Sequence, residues 1–278
     1  MDTSRDNEEQ RNSTAAATAT EAQATEQQKP EAKQEHKRYS GGAGKRRPHS
    51  HHEQRHGAHG KRAKADLDPN NPMLPHFVEY AKILTDRQDQ RERLVKLSRD
   101  VTIASKRVIF LLQRYNGTNA ETLIAQANEK LASIHATIRA IAKELDGTDP
   151  AMHHRAYSPG MQEYIEAITF MAYIKDGSLP SPEDIAALIF DGAGDDDPRM
   201  AIVSTDYILG IADLTGELMR LCINNATDNT IPFQICERMR DIYEGFLSIS
   251  PKMRMKDFEK KMEVMGNSLR KVEKRTHT

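Results

Sequence analysis

The chain has 278 residues, of which 37 % are hydrophobic and 29 % charged, and its formal net charge at pH 7 is −1. So balanced a charge gives no overall attraction to nucleic acid or to a membrane surface, and partners must be inferred from local patterns. With only two cysteines, Cys222 and Cys236, and with no visible signal peptide or long apolar run, the sequence argues against a secreted disulfide scaffold. We therefore expect a protein of the cytoplasm and nucleus with no membrane partner.

Residues 1–71 are predicted to form a disordered tail. They are rich in Ala, Thr, Gln and Glu, then in Gly, His, Arg and Lys, and almost no large apolar side chain occurs among them to offset the entropy of ordering. The tail carries two basic clusters, formed by Lys45, Arg46, Arg47, Lys61, Arg62 and Lys64. Their spacing suits a bipartite nuclear import signal or a loose nucleic-acid arm, although a merely solubilising tail would look the same. The histidines of the tail are more typical of composition than of metal binding.

From residue 72 to residue 278 the pattern predicts one all-α domain of about seven helices. The first helix is expected over residues 73–115, where Leu94, Leu97, Val101 and Leu111 belong to a stripe of apolar residues in steps of three and four. At 1.5 Å per residue such a helix is roughly 60 Å long, about twice what a small core needs. Its first turns add Phe77, Tyr80 and Leu84, which favours assembly with other subunits.

Six further helices follow, and their starts are indicated by capping residues and prolines. Thr118 and Glu121 predict a capping box for the second helix, and Pro159 is expected to kink or break the third helix. Ser181 followed by Pro182 predicts the start of a short fourth helix. The third, fifth, sixth and seventh helices are expected over residues 158–175, 205–225, 232–247 and 252–274. The acidic, Gly-rich stretch at 191–198 is interpreted as a solvated loop, because it lacks the spacing of a calcium-binding loop.

Two pairs of acids interrupt the apolar third and fifth helices. Glu163 and Glu166 are three residues apart, and Asp213 and Glu217 are four apart, so each pair shares one helix face. If the two helices are neighbours, the four carboxylates converge and repel one another, a cost that Mg²⁺ or Mn²⁺ would remove. Such a site could activate water at a phosphodiester. Pairing with local cations such as Arg220 or Lys175 is the alternative.

The polar positions of the first helix are mostly cationic. Candidates for contacts with a nucleic-acid backbone are Arg93, Lys96, Arg99 and Lys106. On the residues alone, a solvated helix face with intrahelical pairs such as Glu92 with Lys96 is the favoured interpretation.

Three segments together resemble the translin superfamily: RLVKLSRD at 93–100, QEYIEA at 162–167 and, most specifically, YILGIADLTGELMR at 207–220. The resemblance extends from about residue 77 to the C-terminus. It implies a seven-helix, translin-like bundle with a long first helix, and a closed, hollow hetero-oligomer with translin, usually an octamer.

The resemblance also implies an activity. Members of this kind form, with translin, a Mg²⁺-dependent endoribonuclease that cuts single-stranded or nicked RNA and activates the RNA-induced silencing complex by removing passenger-strand fragments. The positions that match the family's catalytic and metal-binding acids are Glu163, Glu166, Asp213 and Glu217. RNA, single-stranded DNA and silencing-complex components are the implied partners. The alternative is a non-catalytic, nucleic-acid-binding scaffold partner of translin, which would not need the four acids.

Overall fold

A computed structural model describes residues 68, 70–194, 196–226 and 230–276. Almost all of the predicted tail, including the six cations proposed for nuclear import, lies outside the described residues. The described residues contain no β-strand, which confirms the all-α prediction, and no helix among them is long and apolar enough to cross a bilayer. The helices are α1 (Leu74–Leu112), α2 (Ala120–Leu145), α3 (Pro150–Asp176), α4 (Pro182–Ile189), α5 (Ser204–Asn224), α6 (Ile231–Ile249) and α7 (Lys256–Thr276), with a 3₁₀ turn at Ser250–Lys252 before α7.

Helix α3 lies at the centre of the bundle. It packs against α1, α2 and α5, while α5 in turn packs against α6 and α7. Residues 160 and 161 and the run from 164 to 170 are buried, so this part of α3 is enclosed almost all round. A helix buried in this way needs apolar residues on every side, and an acid within it stands out for that reason.

The core begins halfway along α1. No residue from 74 to 89 is buried, and all the apolar residues there except the half-buried Leu74 are exposed, Phe77 by 63 % and Leu84 by 64 %. We call residues 74–89 the projecting segment. The first-helix prediction is therefore confirmed in its length and in the part of it that extends beyond the domain.

The buried stripe of α1 differs in one respect from the predicted stripe. Its fully buried positions run through Leu94, Ser98, Val101, Ser105 and Val108, whereas Leu97 of the predicted stripe is only half-buried at its edge. Because two positions of the buried stripe are serines, a search for apolar residues alone does not find the stripe's true positions. Ser98 is needed at its position, as its contacts with α3 show.

Of the kink or break expected at Pro159, the break does not occur, because α3 continues through the proline from Pro150 to Asp176. Ser98 Oγ of α1 donates a hydrogen bond to the carbonyl oxygen of Tyr157 at 3.2 Å and accepts one from the Gly160 amide at 3.0 Å. A hydroxyl from the neighbouring helix thus engages main-chain groups at the turn that contains the proline.

The predicted capping box of the second helix is also absent, since α2 starts after Asn119 without a side-chain cap. The cap of α4 by Ser181 is confirmed.

Two glycines let the helices that flank α3 approach closely. A Cβ at Gly160 would lie 2.7 Å from the carbonyl oxygen of Ser98, and a Cβ at Gly210 would lie 2.7 Å from Cγ2 of Ile165. Both distances are shorter than van der Waals contact allows, so only glycine fits. The close approach at Gly210 sets the distance between α3 and α5, the two helices that carry the paired acids.

Candidate active site: a cluster of four carboxylates

The structure brings the four predicted acids into electrostatic contact. Helix α3 supplies Glu163 and Glu166, and α5, which packs against it, supplies Asp213 and Glu217. The charges of Glu163, Asp213 and Glu217 all raise the pKa of Glu166. We refer to these four residues as the acidic cluster.

Glu166 is the most deeply buried of the four. Its exposed fraction is only 8 %, and no hydrogen bond to its carboxyl group occurs among the described residues. Burial, then the charges of the three other acids, raise the pKa of Glu166 to about 8, while Lys261 acts in the opposite direction. Without a further cation this side chain therefore holds its proton at neutral pH.

Each of the other three acids meets one cation from the described residues. Lys261 Nζ of α7 lies 2.6 Å from Asp213 Oδ2, Arg220 Nη1 lies 3.0 Å from Glu217 Oε2, and Lys106 Nζ of α1 lies 3.6 Å from Glu163 Oε2. Burial raises the pKa of Glu163 and Lys106 lowers it, while Asp213 and Glu217 raise it further. Of the two local cations considered from the sequence, only Arg220 pairs with the cluster.

Gln113 and Lys261 contact the cluster but could not be identified from the sequence. Gln113, at the end of α1, donates hydrogen bonds from Nε2 to Glu217 Oε2 at 2.7 Å and to the carbonyl oxygen of Glu217 at 2.9 Å. Lys261 also donates to the carbonyl oxygen of Leu209 at 3.0 Å. Neither residue lies near the acids in sequence, and α7 has several similar lysines, so spacing gives no signal for them.

A buried polar network supports the cluster from one side. Asp206, which is 1 % exposed, accepts a hydrogen bond from Ser158 Oγ at 2.5 Å and one from Gln162 Nε2 at 3.1 Å, and it lies 2.8 Å from His154 Nε2. The other end of the Gln162 amide accepts a hydrogen bond from Lys261 Nζ at 3.4 Å. This network fixes Gln162, and through it the lysine that pairs with Asp213.

The acidic cluster has the ligand atoms that a divalent cation prefers, but its side chains are not arranged around a single point. Within the described residues no group of three or more His, Cys, Asp or Glu side chains is placed to hold a metal ion as it stands. The donors are nevertheless all carboxylate oxygens, which hard cations such as Mg²⁺ prefer. Glu166 makes no ion pair among the described residues, and Lys261 offsets only part of the repulsion by the other acids, so a cation between α3 and α5 would stabilise its charged form.

The four predicted phosphate contacts separate into two groups. Arg93 Nε pairs with Glu144 Oε2 of α2 at 2.9 Å, so this guanidinium is already engaged. Lys96, Arg99 and Lys106 are exposed, and of these only Lys106 makes an ion pair among the described residues. The expected pair of Glu92 with Lys96 does not form among the described residues, and Glu92 instead accepts a hydrogen bond from Gln88 at 2.8 Å. Of the four predicted residues, Lys106 alone contacts the acidic cluster, while Lys96 and Arg99 make no ion pair among the described residues.

Comparison with known proteins finds a matching family and several relatives similar in sequence. The profile of the Translin family matches residues 89–277. The chain is 37 % identical over 233 residues to translin-associated protein X of Pongo abelii, covering 77 % of this chain and 80 % of that protein. It is 30 % identical over 208 residues to the translin-associated protein X homolog of Schizosaccharomyces pombe, covering 72 % and 85 %.

Solved structures share the fold. The crystal structure of apo-NeC3PO superposes with a TM-score of 0.57 at 19 % identity, covering 76 % of this chain and 97 % of that chain. The AfC3PO–duplex RNA complex superposes with a TM-score of 0.51 at 21 % identity, covering 72 % and 94 %.

Proposed function

The chain belongs to the translin family, and from this membership we propose that it is the catalytic subunit of a Mg²⁺-dependent endoribonuclease acting on single-stranded or nicked RNA. The observation that carries the proposal is the acidic cluster, above all the buried and unpaired Glu166. A carboxylate enclosed with three others is costly for a protein that has no use for it. A scaffold could replace it with an apolar residue and gain stability.

In the proposed reaction the acidic cluster holds Mg²⁺, for which Mn²⁺ can substitute, with Glu163, Glu166, Asp213 and Glu217 as the ligands. When bound, the ion supplies a water of lowered pKa and neutralises the charge that develops on the phosphate. Lys106, beside Glu163, is positioned to bind a phosphate group of the strand. Gln113 orients the carboxylate of Glu217, and Lys261 orients that of Asp213.

The proposed partner is translin. The names of the relatives describe proteins associated with translin, and the projecting segment offers apolar side chains that a second subunit would cover. We propose a closed hetero-oligomer, an octamer, that encloses the acidic cluster and acts in the cytoplasm and nucleus. RNA as the substrate is supported by the likeness to AfC3PO, which has been solved with duplex RNA. Single-stranded DNA as a ligand, and removal of passenger-strand fragments for the silencing complex, are parts of the same proposal.

One observation favours the second candidate, a non-catalytic nucleic-acid-binding scaffold. Lys106, Arg220 and Lys261 already neutralise three of the four acids. In a scaffold these ion pairs would be permanent, whereas in an enzyme the carboxylates must turn toward the metal ion.

An RNA-cleavage assay separates the two candidates. The purified chain is tested alone and with translin, on single-stranded and nicked RNA, with Mg²⁺ and with EDTA. If the chain is the catalytic subunit, we expect cleavage that requires both translin and Mg²⁺. RNA binding without cleavage under every condition would establish the scaffold.

A further inference from the structure

A shallow groove of about 620 Å³ lies between α1 and α2, on the side of α1 that faces away from the core. Helix α1 and the residues just after it contribute Lys106, Arg107, Phe110 and Arg114, and α2 contributes Lys130. We call this the basic groove. Its volume falls in the range of sites that hold drug-sized molecules, which is enough for a nucleotide.

The charge of the basic groove is uncompensated. Four of its lining residues are cations and none is an acid. Among the described residues Arg107, Arg114 and Lys130 make no ion pair, and Lys106 makes only the 3.6 Å contact with Glu163. Cations held together without acids repel one another, so the groove is complementary to a polyanion.

Phe110 lies in the middle of these cations and is 75 % exposed, the largest exposed fraction among the large hydrophobic residues that the structure describes. Its ring stacks on no aromatic or guanidinium group within the described residues. Both its position and its free face suit stacking by a base, since aromatic rings flanked by cations are how proteins bind single strands without sequence preference.

The basic groove adjoins the acidic cluster. Lys106 belongs to both, because it lines the groove and contacts Glu163. Phe110 follows Lys106 by one helical turn, about 6 Å along the axis of α1. Gln113, less than one turn further, contacts Glu217. The same two turns of α1 therefore contact two of the four acids and present Phe110.

We propose that the basic groove holds one unpaired nucleotide of a single strand next to the acidic cluster, with Phe110 stacked on the base and Arg107, Arg114 and Lys130 on the backbone. The orientation of the bound strand rests on the proposed function, because the proposed cleavage requires the neighbouring phosphate to lie at the acidic cluster. It assigns Phe110 as a determinant of preference for single strands, since a base paired in a duplex cannot turn onto the ring.

Binding is tested in EDTA, where no metal-dependent cleavage occurs, so that failure of the groove and failure of the proposed function remain distinct. The ligand is a short uridine oligomer with one 2-aminopurine, whose fluorescence falls when the base stacks. The full-length chain is measured first alone and then together with translin. Phe110→Leu, which keeps an apolar side chain and removes the ring, should weaken binding about tenfold and restore the fluorescence. The pair Arg107→Gln with Arg114→Gln should weaken binding and flatten its dependence on salt.

Matched controls lie outside the groove. Phe233→Leu removes another exposed ring, and the pair Lys256→Gln with Lys260→Gln removes two exposed cations of α7. We expect both controls to retain wild-type affinity and fluorescence. Unchanged affinity in Phe110→Leu would overturn the proposal. So would the loss of translin binding in that variant while RNA binding persists, because the groove would then belong to a protein partner.

Discussion

At the scale of single residues, Glu166 distinguishes the acidic cluster from an ordinary set of ion pairs. Glu163, Asp213 and Glu217 each make an ion pair with a cation, whereas Glu166 makes none among the described residues. The position of this acid within the enclosed part of α3 explains why its pKa rises to about 8.

Asp213→Asn and Glu217→Gln should each lower Mg²⁺-dependent RNA cleavage by at least about a hundredfold. The amide keeps the shape of the side chain but lacks the charge that binds the ion, so helical content and assembly with translin should not change. Cleavage rates, circular dichroism and sedimentation measure these effects. Glu244→Gln, an exposed acid of α6, is the control. Full cleavage by both cluster variants would contradict the metal assignment.

Glu166 should make the metal-free protein less stable as the pH rises. Its pKa in the folded state lies above its ordinary value of 4.5, so the folded protein binds the proton more tightly than the unfolded chain. The free energy of unfolding therefore falls as the pH rises from about 4.5 to about 8 and changes little above pH 8. The total loss is a few kcal/mol at most, since one pKa unit corresponds to about 1.4 kcal/mol.

The variant Glu166→Gln removes this dependence. In EDTA its melting temperature should exceed that of the wild type at pH 8 and approach it at pH 4.5. In the presence of Mg²⁺ the wild type should recover the difference at pH 8. An equal gain at both pH values would mean that the proton on Glu166 is not involved.

Lys96 and Arg99 should contact the phosphate backbone more strongly than Arg93, because Arg93 is held by Glu144 at 2.9 Å. Neutralising Lys96 and Arg99 together should weaken RNA binding for all sequences alike. It should also reduce the slope of log affinity against log salt by about 1.4, at roughly 0.7 for each contact with a single strand. Arg93→Gln is the comparison, with a smaller change expected. If the slope of the double variant equals that of the wild type, these residues form only a solvated face.

At the scale of helices, the contact of α3 with α5 depends on a glycine. Gly210→Ala would place a Cβ 2.9 Å from the carbonyl oxygen of Gln162, and main-chain atoms cannot move aside as a side chain can. The free energy of unfolding should fall by about 1–3 kcal/mol. Gly216→Ala, on the same helix with nothing within 4 Å of the added methyl group, should gain up to about 1 kcal/mol. Urea denaturation of both variants measures the difference, and equal effects would show that the close approach is unimportant.

The helices themselves could be predicted because periodicity and capping are local properties of the sequence. Their contacts could not. The continuation of α3 through Pro159 involves Ser98, a hydroxyl that reaches it from α1. Among the cations of the acidic cluster, Arg220 was identifiable because it follows Glu217 by three residues. Lys261 reaches Asp213 from α7, 48 residues away, and no spacing within one helix reveals such a contact.

At the scale of the whole molecule, the projecting segment should govern solubility and assembly. Phe77, Tyr80 and Leu84 share one helix face and are all more than half exposed. The chain alone should therefore self-associate, and translin should cover this face. Phe77→Ser combined with Leu84→Ser should make the chain monomeric but unable to bind translin, as sedimentation would measure. Val264→Ser, which changes an exposed residue of α7, should alter neither property. A wild-type chain that stays monomeric and ignores translin would contradict the partner assignment.

The projecting segment also has a consequence for the life of the subunit in the cell. None of its 16 residues, from 74 to 89, is buried in this chain, so this half of α1 lacks the tertiary packing that supplies most of the stability of helices in proteins. Before assembly the segment would unwind often and offer proteases an extended, apolar stretch. Burial under a partner would end that exposure. Degradation of orphan subunits would then keep the amount of this chain matched to the amount of its partner, without any separate control of its synthesis.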